Sequence, residues 1–252
     1  MTGLQTNYNL YMEESFPGMI VDSYPNKNTI SRAAEEAIAF ALGVVQGTDV
    51  AKQCRLPKLD NASLLFDADF VTSNTIDLDV DGVSITQVPF DTDHDTTADN
   101  LVIAIAALTG ISCILDSGDA NNRTFLIESE GVDIVVDNVV VAAGASQAVG
   151  VVTYSTDDVF IGVARHEHKM SNSEQISLYK ITDAVNVMDE GLIWVYVTEA
   201  VAIGEAAYLI AAAGADRGKF TKTSTNNITT QGAKFKSATS GAGLVALKLR
   251  LL

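Results

Sequence analysis

Acidic residues are segregated along this chain, and that segregation limits what the chain can fold into. Of its 32 Asp and Glu, 15 lie between positions 61 and 155, where Arg123 is the single basic residue. The other residues hold 17 acidic side chains against 15 basic ones, so the middle stretch carries net −14 and the rest only −2 of the total −16. Stretches with such different charge face different surroundings. The expectation is a near-neutral body, split in sequence, with an acidic module inserted into it. A length of 252 residues accommodates two bodies of about 100 to 150 residues each. The expected boundaries are 1–60 for an N-terminal arm and the first part of the split body, 61–155 for the acidic insert, and 156–252 for the second part.

Composition and charge speak against several classes of function. With 47% hydrophobic residues and four prolines, the chain reads as folded and not as an acidic disordered tail. Its longest uninterrupted apolar run, Leu101 to Leu108, is too short for a membrane-spanning helix, and no membrane partner is expected. Nucleic acid is not an expected partner either, because phosphate contacts need clustered Lys and Arg. No basic residue precedes Lys27 and no apolar leader follows the start, so no secretory signal is expected. Cys54 and Cys113 fall in different expected modules and read as two separate thiols.

Residues 1–30 place Tyr8, Tyr11, Phe16 and Tyr24 among polar residues, with Pro17-Gly18 and Pro25 and no sustained period, as in an extended arm whose aromatics need cover. Ala and Glu propensity over 31–48 predicts a helix capped by Ser31, with an extended reading of Ile38 to Val45 left open. In the acidic stretch, Ile76, Leu78 and Val80 alternate with acids and 83–88 alternates again, which predicts a hairpin on Asp81-Gly82. A helix is expected over 97–108, ending at Gly110, followed by strands at 111–115, 124–129 and 132–141. Together these make a ββαβββ unit of one helix on an antiparallel sheet, an α+β module. Beyond Thr156 the pattern is short strands between turns. Glycines at 204 and 214 favour a strand over a helix at 205–213. The closing strand places Val245, Leu247, Leu249 and Leu251 on one face, with Lys248 and Arg250 on the other. The fold class is mainly β.

Chemistry-bearing motifs are thin. Asp77 to Gly82 matches the first half of a calcium loop, but the twelfth position, which must supply a bidentate carboxylate, is Val88. The alternation favours the solvent face of a strand and its turn. His166-Glu167-His168 offers two imidazoles, too few for a closed zinc site, and His94 lies in the other module. Gly241 to Ala246 spells a dinucleotide fingerprint without room for the helix that gives it meaning, and reads as a turn before the last strand. No nucleophile elbow, phosphate loop or paired Cys-His is present. No enzyme, cofactor or metal site is expected.

Two sets of segments carry a resemblance. Phe16 to Ser23, Ser31 to Phe40 and Val44 to Thr48 resemble the start of tailed-bacteriophage capsid cement, or decoration, proteins. Ile161 to Ala164, Gly191 to Val197, Ala202 to Gly204 and Ala233 to Val245 resemble that family's later strands. The likeness spans about 150 residues and implies a β-rich, barrel-like domain with extended structure over 36–46, against the helix that propensity predicts. Gly is usual in the family where this chain has Ala41 or Leu42. The acidic stretch departs from the cement pattern and resembles a module that recurs in phage structural proteins. The resemblance implies a non-enzymatic protein of the virion, made in the host cytoplasm. It would bind the major capsid protein on the outer capsid surface as a homotrimer and bridge capsomers. The arm is the expected capsid contact, through Tyr8, Tyr11, Phe16, Pro17, Met19 and Ile20. A head fibre or adhesin whose acidic insert binds a glycan is the alternative.

Overall fold

The computed structural model describes residues 16–21, 28–130, 133–142, 148–166 and 178–250. The first strands are β1 (Asn28–Ala34), β2 (Ile38–Ala39), β3 (Gly43–Gln46) and β4 (Gln53–Arg55). The acidic stretch contains β5 (Asn61–Phe66), β6 (Thr75–Val80), β7 (Val83–Pro89), α1 (His94–Ala106), β8 (Ile111–Leu115), β9 (Thr124–Ser129), β10 (Val136–Ala142) and β11 (Gly150–Ser155). The chain closes with β12 (Phe160–Ala164), β13 (Leu178–Tyr179), β14 (Ala184–Val197), β15 (Ala206–Ile210), β16 (Phe220–Thr221), β17 (Asn227–Phe235) and β18 (Gly243–Arg250). The fold is mainly β, with one helix among the described residues.

The long strand β14 organises the near-neutral part. Strands β1, β4, β3, β12 and β14 are bonded in that order, and β1 also pairs with β14, which closes a five-strand barrel. From Glu190 onward β14 pairs instead with β18, and β16, β15 and β17 complete a second circuit from β14 back to β18. Val185 and Val187 face one core with Ala34, Ile38, Phe40, Val44 and Cys54. Met188, Ile193, Val195 and Val197 face another with Phe220, Phe235 and Leu247. The side on which odd-numbered residues lie changes between Met188 and Glu190, where the register against β1 slips so that Asn28 opposes Glu190 and Thr29 opposes Met188. A bulge of this kind lets one strand serve two cores. Gly162 crosses close by with φ +145°, and a Cβ there would lie 2.3 Å from the Met188 carbonyl oxygen.

The helix that propensity predicts over 31–48 is not formed: β1, β2 and β3 occupy those residues. Burial outweighs the modest helix preference of Ala and Glu here, because Ile38, Val44 and Val45 are fully buried in sheet cores. Extended structure at 36–46 is therefore correct at β2 and β3. Ala41 takes φ +69°, the left-handed region in which Gly is preferred, at the place where the resemblance expects a glycine. The 205–213 segment is a strand, as its flanking glycines suggest.

In the acidic stretch the hairpin of β6 and β7 turns on Asp81 (φ +51°) and Gly82 (φ +74°), the two left-handed positions of a type I′ turn. The helix begins three residues earlier than expected, because the Asp93 carboxylate accepts from the Thr96 amide and caps it. The strands divide between two antiparallel sheets, β10-β6-β7 and β11-β5-β9-β8, where the pattern suggested one. Strand β5 was not anticipated. The inner faces of both sheets and Ala98, Leu101 and Ile105 of the helix share one core. Strands β5 and β11 pair from Asn61 opposite Ser155 to Phe66 opposite Gly150, so the stretch is entered and left on adjacent strands.

Two arginines tie this core to the strands around it. Arg55 contacts Asp158 at 2.6 Å and Asp60 at 3.8 Å. The Asp158 carboxylate also accepts from the Lys58 amide, while burial raises its pKa against those favourable contacts. Arg217 donates to the carbonyls of Pro57 (2.5 Å) and Leu56 (3.3 Å) and to Glu36 (3.2 Å), and lies 3.9 Å from Asp133. The amide of Leu59 donates to Asp133, and Ile134 donates to the Leu59 carbonyl. Tyr154 adds a packing bridge, since its ring contacts both large cores and its hydroxyl donates to the Val136 carbonyl.

Three expectations test this description. Gly162→Ala should cost about 2–3 kcal/mol, a fall of about 5–10 °C in melting temperature by thermal scanning, because both φ and the Met188 carbonyl forbid the methyl group. Arg217→Ala should cost about 2–3 kcal/mol by removing the cation shared by the Leu56 and Pro57 carbonyls and the part-buried Glu36 and Asp133 carboxylates, and Arg217→Lys should not restore it, since an ammonium cannot span the same acceptors. The Thr96 amide and hydroxyl hold the Asp93 carboxyl below its ordinary value of 3.8. A carboxyl held low binds its proton more weakly when folded, so its stabilisation is present above 3.8 and is lost as pH falls. The melting-temperature advantage of the unmodified chain over Asp93→Asn at neutral pH should therefore shrink as pH falls below 3.8.

Candidate docking surface

Residues 16–21 form a strap along β14. Phe16-Pro17-Gly18-Met19 is a turn in which the Met19 amide donates to the Phe16 carbonyl at 3.1 Å, with Pro17 and Gly18 (φ +74°) in the two central positions of a type II turn. A Cβ on Gly18 would come 2.9 Å from the His166 amide nitrogen, so the site excludes other residues on space as well as on φ. The strap is then fixed by backbone bonds. The amides of Gly18 and Val21 donate to the carbonyls of Trp194 and Leu192, each at 2.9 Å, and the Trp194 amide donates to Met19 at 3.0 Å. Ile20 opposes Ile193 and packs on the core of the second circuit.

Alternation then fixes the outer face. Since Ile20, Ile193, Val195, Val245, Leu247, Ala233 and Phe235 point inward, Met19, Val21, Leu192, Trp194, Tyr196, Leu244, Lys248, Lys234 and Lys236 belong to the opposite face. Its rows follow the register: Leu192 opposes Lys248 and Lys248 opposes Lys234; Trp194 opposes Ala246, whose carbonyl accepts from the Lys236 amide; Tyr196 opposes Leu244. Tyr196 is 39% exposed, Lys234 and Lys236 are exposed, and Trp194 is half-buried. No acidic residue stands in these rows.

Of the expected contact residues, Tyr8 and Tyr11 lie outside the described residues. Phe16 is 39% exposed at the end of the strap, its ring edge-on to His166 at 4.8 Å. Pro17 and Met19 are half-buried in the turn, and Ile20 is committed to the chain's own core. Trp194, Tyr196, Lys234 and Lys236 were not among them. Their signal was the alternation of the 193–197 and 245–251 strands, which had already put Lys248 on the outer side.

The remaining candidate motifs have structural employment. Asp77 accepts from the Gln87 amide, Asp79 from the Asn138 side chain and Asp81 from the Val135 amide, so the Asp-rich hairpin uses its carboxylates to hold its own neighbours. His94 Nδ1 accepts from the Phe70 amide and its Nε2 is 2.9 Å from the Asn121 carbonyl. Glu167 and His168 lie outside the described residues. Both cysteines are free and buried, and burial pushes each thiol up to about 12, far from a nucleophilic thiolate at neutral pH. Among the described residues, no three His, Cys, Asp or Glu side chains are grouped to hold a metal ion.

Comparison with known proteins gives one family. The profile of the phage family described as structural cement protein (E217 gp24/Pam3 gp6) matches residues 4–102 and 112–250. The match runs through most of the acidic stretch and is interrupted only at 103–111, so it reaches well beyond the segments that carried the resemblance. No curated protein matches the chain. A solved structure titled "The capsid of Myoviridae Phage XM1" is similar at 11% identity and a TM-score of 0.46, over 97% of this chain and 98% of that one.

Proposed function

Because this chain belongs to the phage structural cement protein family, we propose that it binds the outer surface of an assembled phage head. There it holds the major capsid protein and bridges neighbouring capsomers as a homotrimer, without enzymatic chemistry. The observation that carries this reading is the strap. Backbone bonds to Leu192 and Trp194 fix Phe16 to Val21 on β14, and Phe16 is presented at the exposed end from which the N-terminal arm departs. An arm rooted in a rigid sheet adds aromatic contact area without loosening its base, and Tyr8, Tyr11, Phe16, Pro17 and Met19 are the side chains it offers. Ile20 acts in this arrangement as the root, through its own core. Several copies attached at once turn modest single contacts into a lasting one, which suits reinforcement of a shell under internal pressure. The acidic stretch of 61–155 forms, in this reading, an inserted domain that points away from the shell. Like charge there keeps particles apart.

Deleting residues 1–15 leaves the strap in place. The truncated protein should keep its melting temperature and oligomeric mass, expected at three times the 26.7 kDa chain, yet fail to co-sediment with purified heads that lack this protein. Undiminished co-sedimentation would remove the arm from the contact. Light scattering that returns a monomer would remove the trimer.

A further inference from the structure

We propose that the outer face of the β11-β5-β9-β8 sheet is where copies of this chain meet one another. The inference rests on the homotrimeric reading and names the surface that holds the copies together.

Parity along the four strands fixes the two faces. Leu64 and Phe66 of β5, Phe125 and Ile127 of β9, Cys113 of β8 and Val152 of β11 belong to the core of the acidic stretch, so their neighbours along each strand point out. Among these, Val151 stands opposite Leu65 and Leu126 opposite Ile114. Leu65 opposes Thr124, two residues from Leu126, which makes Leu65 and Leu126 diagonal neighbours within reach of each other. An apolar stripe therefore crosses all four strands. It lies open to solvent, with Val151 54%, Leu65 46% and Ile114 61% exposed. The remaining outward positions are Ser, Thr and Asn, and Glu128 is the one acid.

The other sheet of the same stretch is built the opposite way. Outside β10-β6-β7, Asp79 stands opposite Asp137 and Asp77 opposite Val140. One outer face thus carries the acid and the other is nearly cleared of it, in a stretch of net −14. A partner drawn by charge would be met by the carboxylates. A body as acidic as this one needs them withdrawn, because carboxylates enclosed between two such modules lose water and face like charge. A second copy of the chain is such a body. Symmetry adds a positive argument: near a rotation axis equivalent residues meet one another, and an apolar stripe is complementary to itself where a charged one is not. The acids that border the stripe are turned onto their own backbone. Asp67, beyond the end of β5, accepts from the Val149 amide, and Asp116, beyond the end of β8, accepts from the Gly118 amide.

The test is the mass of the full chain by light scattering on a sizing column. The unmodified protein should run at three times the 26.7 kDa chain. Ile114→Glu combined with Val151→Glu brings carboxylates of neighbouring copies together and should return 26.7 kDa with an unchanged far-ultraviolet dichroism. Leu65→Thr, Ile114→Thr and Val151→Thr together keep strand-forming side chains and so guard against a variant that fails to fold. This triple variant should need at least about tenfold more protein to assemble. A folded variant of either kind that assembles as the unmodified chain does would overturn the proposal while leaving the trimer intact. Loss of co-sedimentation with heads at an unchanged mass would also overturn it, by giving the face to the shell protein. An unmodified dimer that both variants dissociate would uphold the face and correct the number of copies. If the unmodified protein is a monomer, the homotrimeric reading falls and this inference falls with it.

Discussion

The near-neutral part depends on one strand whose hydrogen bonds are claimed by several segments. Between Ala184 and Val197, β14 bonds to β1, β12, the strap, β16 and β18. Backbone groups left unpaired in a buried strand are costly, and no single partner here is long enough to satisfy them all. The bulge between Met188 and Glu190 is the geometric condition for this sharing. It moves the odd-numbered side chains from one face to the other, so that Val185 and Val187 fill one core while Ile193, Val195 and Val197 join Met188 in the other. Gly162 belongs to the same condition, since only a residue without Cβ lets β12 pass the bulge.

A second constraint governs how the acidic stretch is held. Its entering and leaving strands are adjacent, and the segment from Arg55 to Asp60 is gripped by Arg55 and Arg217 through carbonyls as well as carboxylates. A guanidinium that serves backbone acceptors fixes orientation as well as charge, because its donors are planar and diverge at set angles. The link is short and fully engaged, which makes the stretch an extension of the β-rich body and not a tethered bead.

Much of this was legible in the sequence wherever local rules agreed with burial. The Asp81-Gly82 turn, the strands at 111–115 and 124–129 and the inward parity of 245–249 follow from turn chemistry and period-two alternation. The 31–48 segment misled, because propensity describes a chain without tertiary contacts while Ile38, Val44 and Val45 are placed by cores assembled from distant residues. Strand β5 escaped for a related reason: Asn61 to Phe66 alternates only once β9 and β11 flank it. At the candidate site, Pro17-Gly18 announced its turn, but nothing local to residues 16–21 says that β14 receives them. Ile20 therefore read as a contact residue when its side chain serves the fold. The lysine rows were half visible, as Lys248 was placed outward by alternation while its alignment with Lys234 is a matter of register between strands.

The strap has a consequence for timing. Its partners, Leu192 and Trp194, lie more than 170 residues after it in sequence, and the second core is completed by the still later β18. The outer face therefore exists only once β18 has been made and the most distant pairings have formed, contacts of the kind that fold slowly. A partial chain has no such face to offer. By thermodynamic linkage, any partner that selects it also stabilises the finished fold, so attachment and folding reinforce each other.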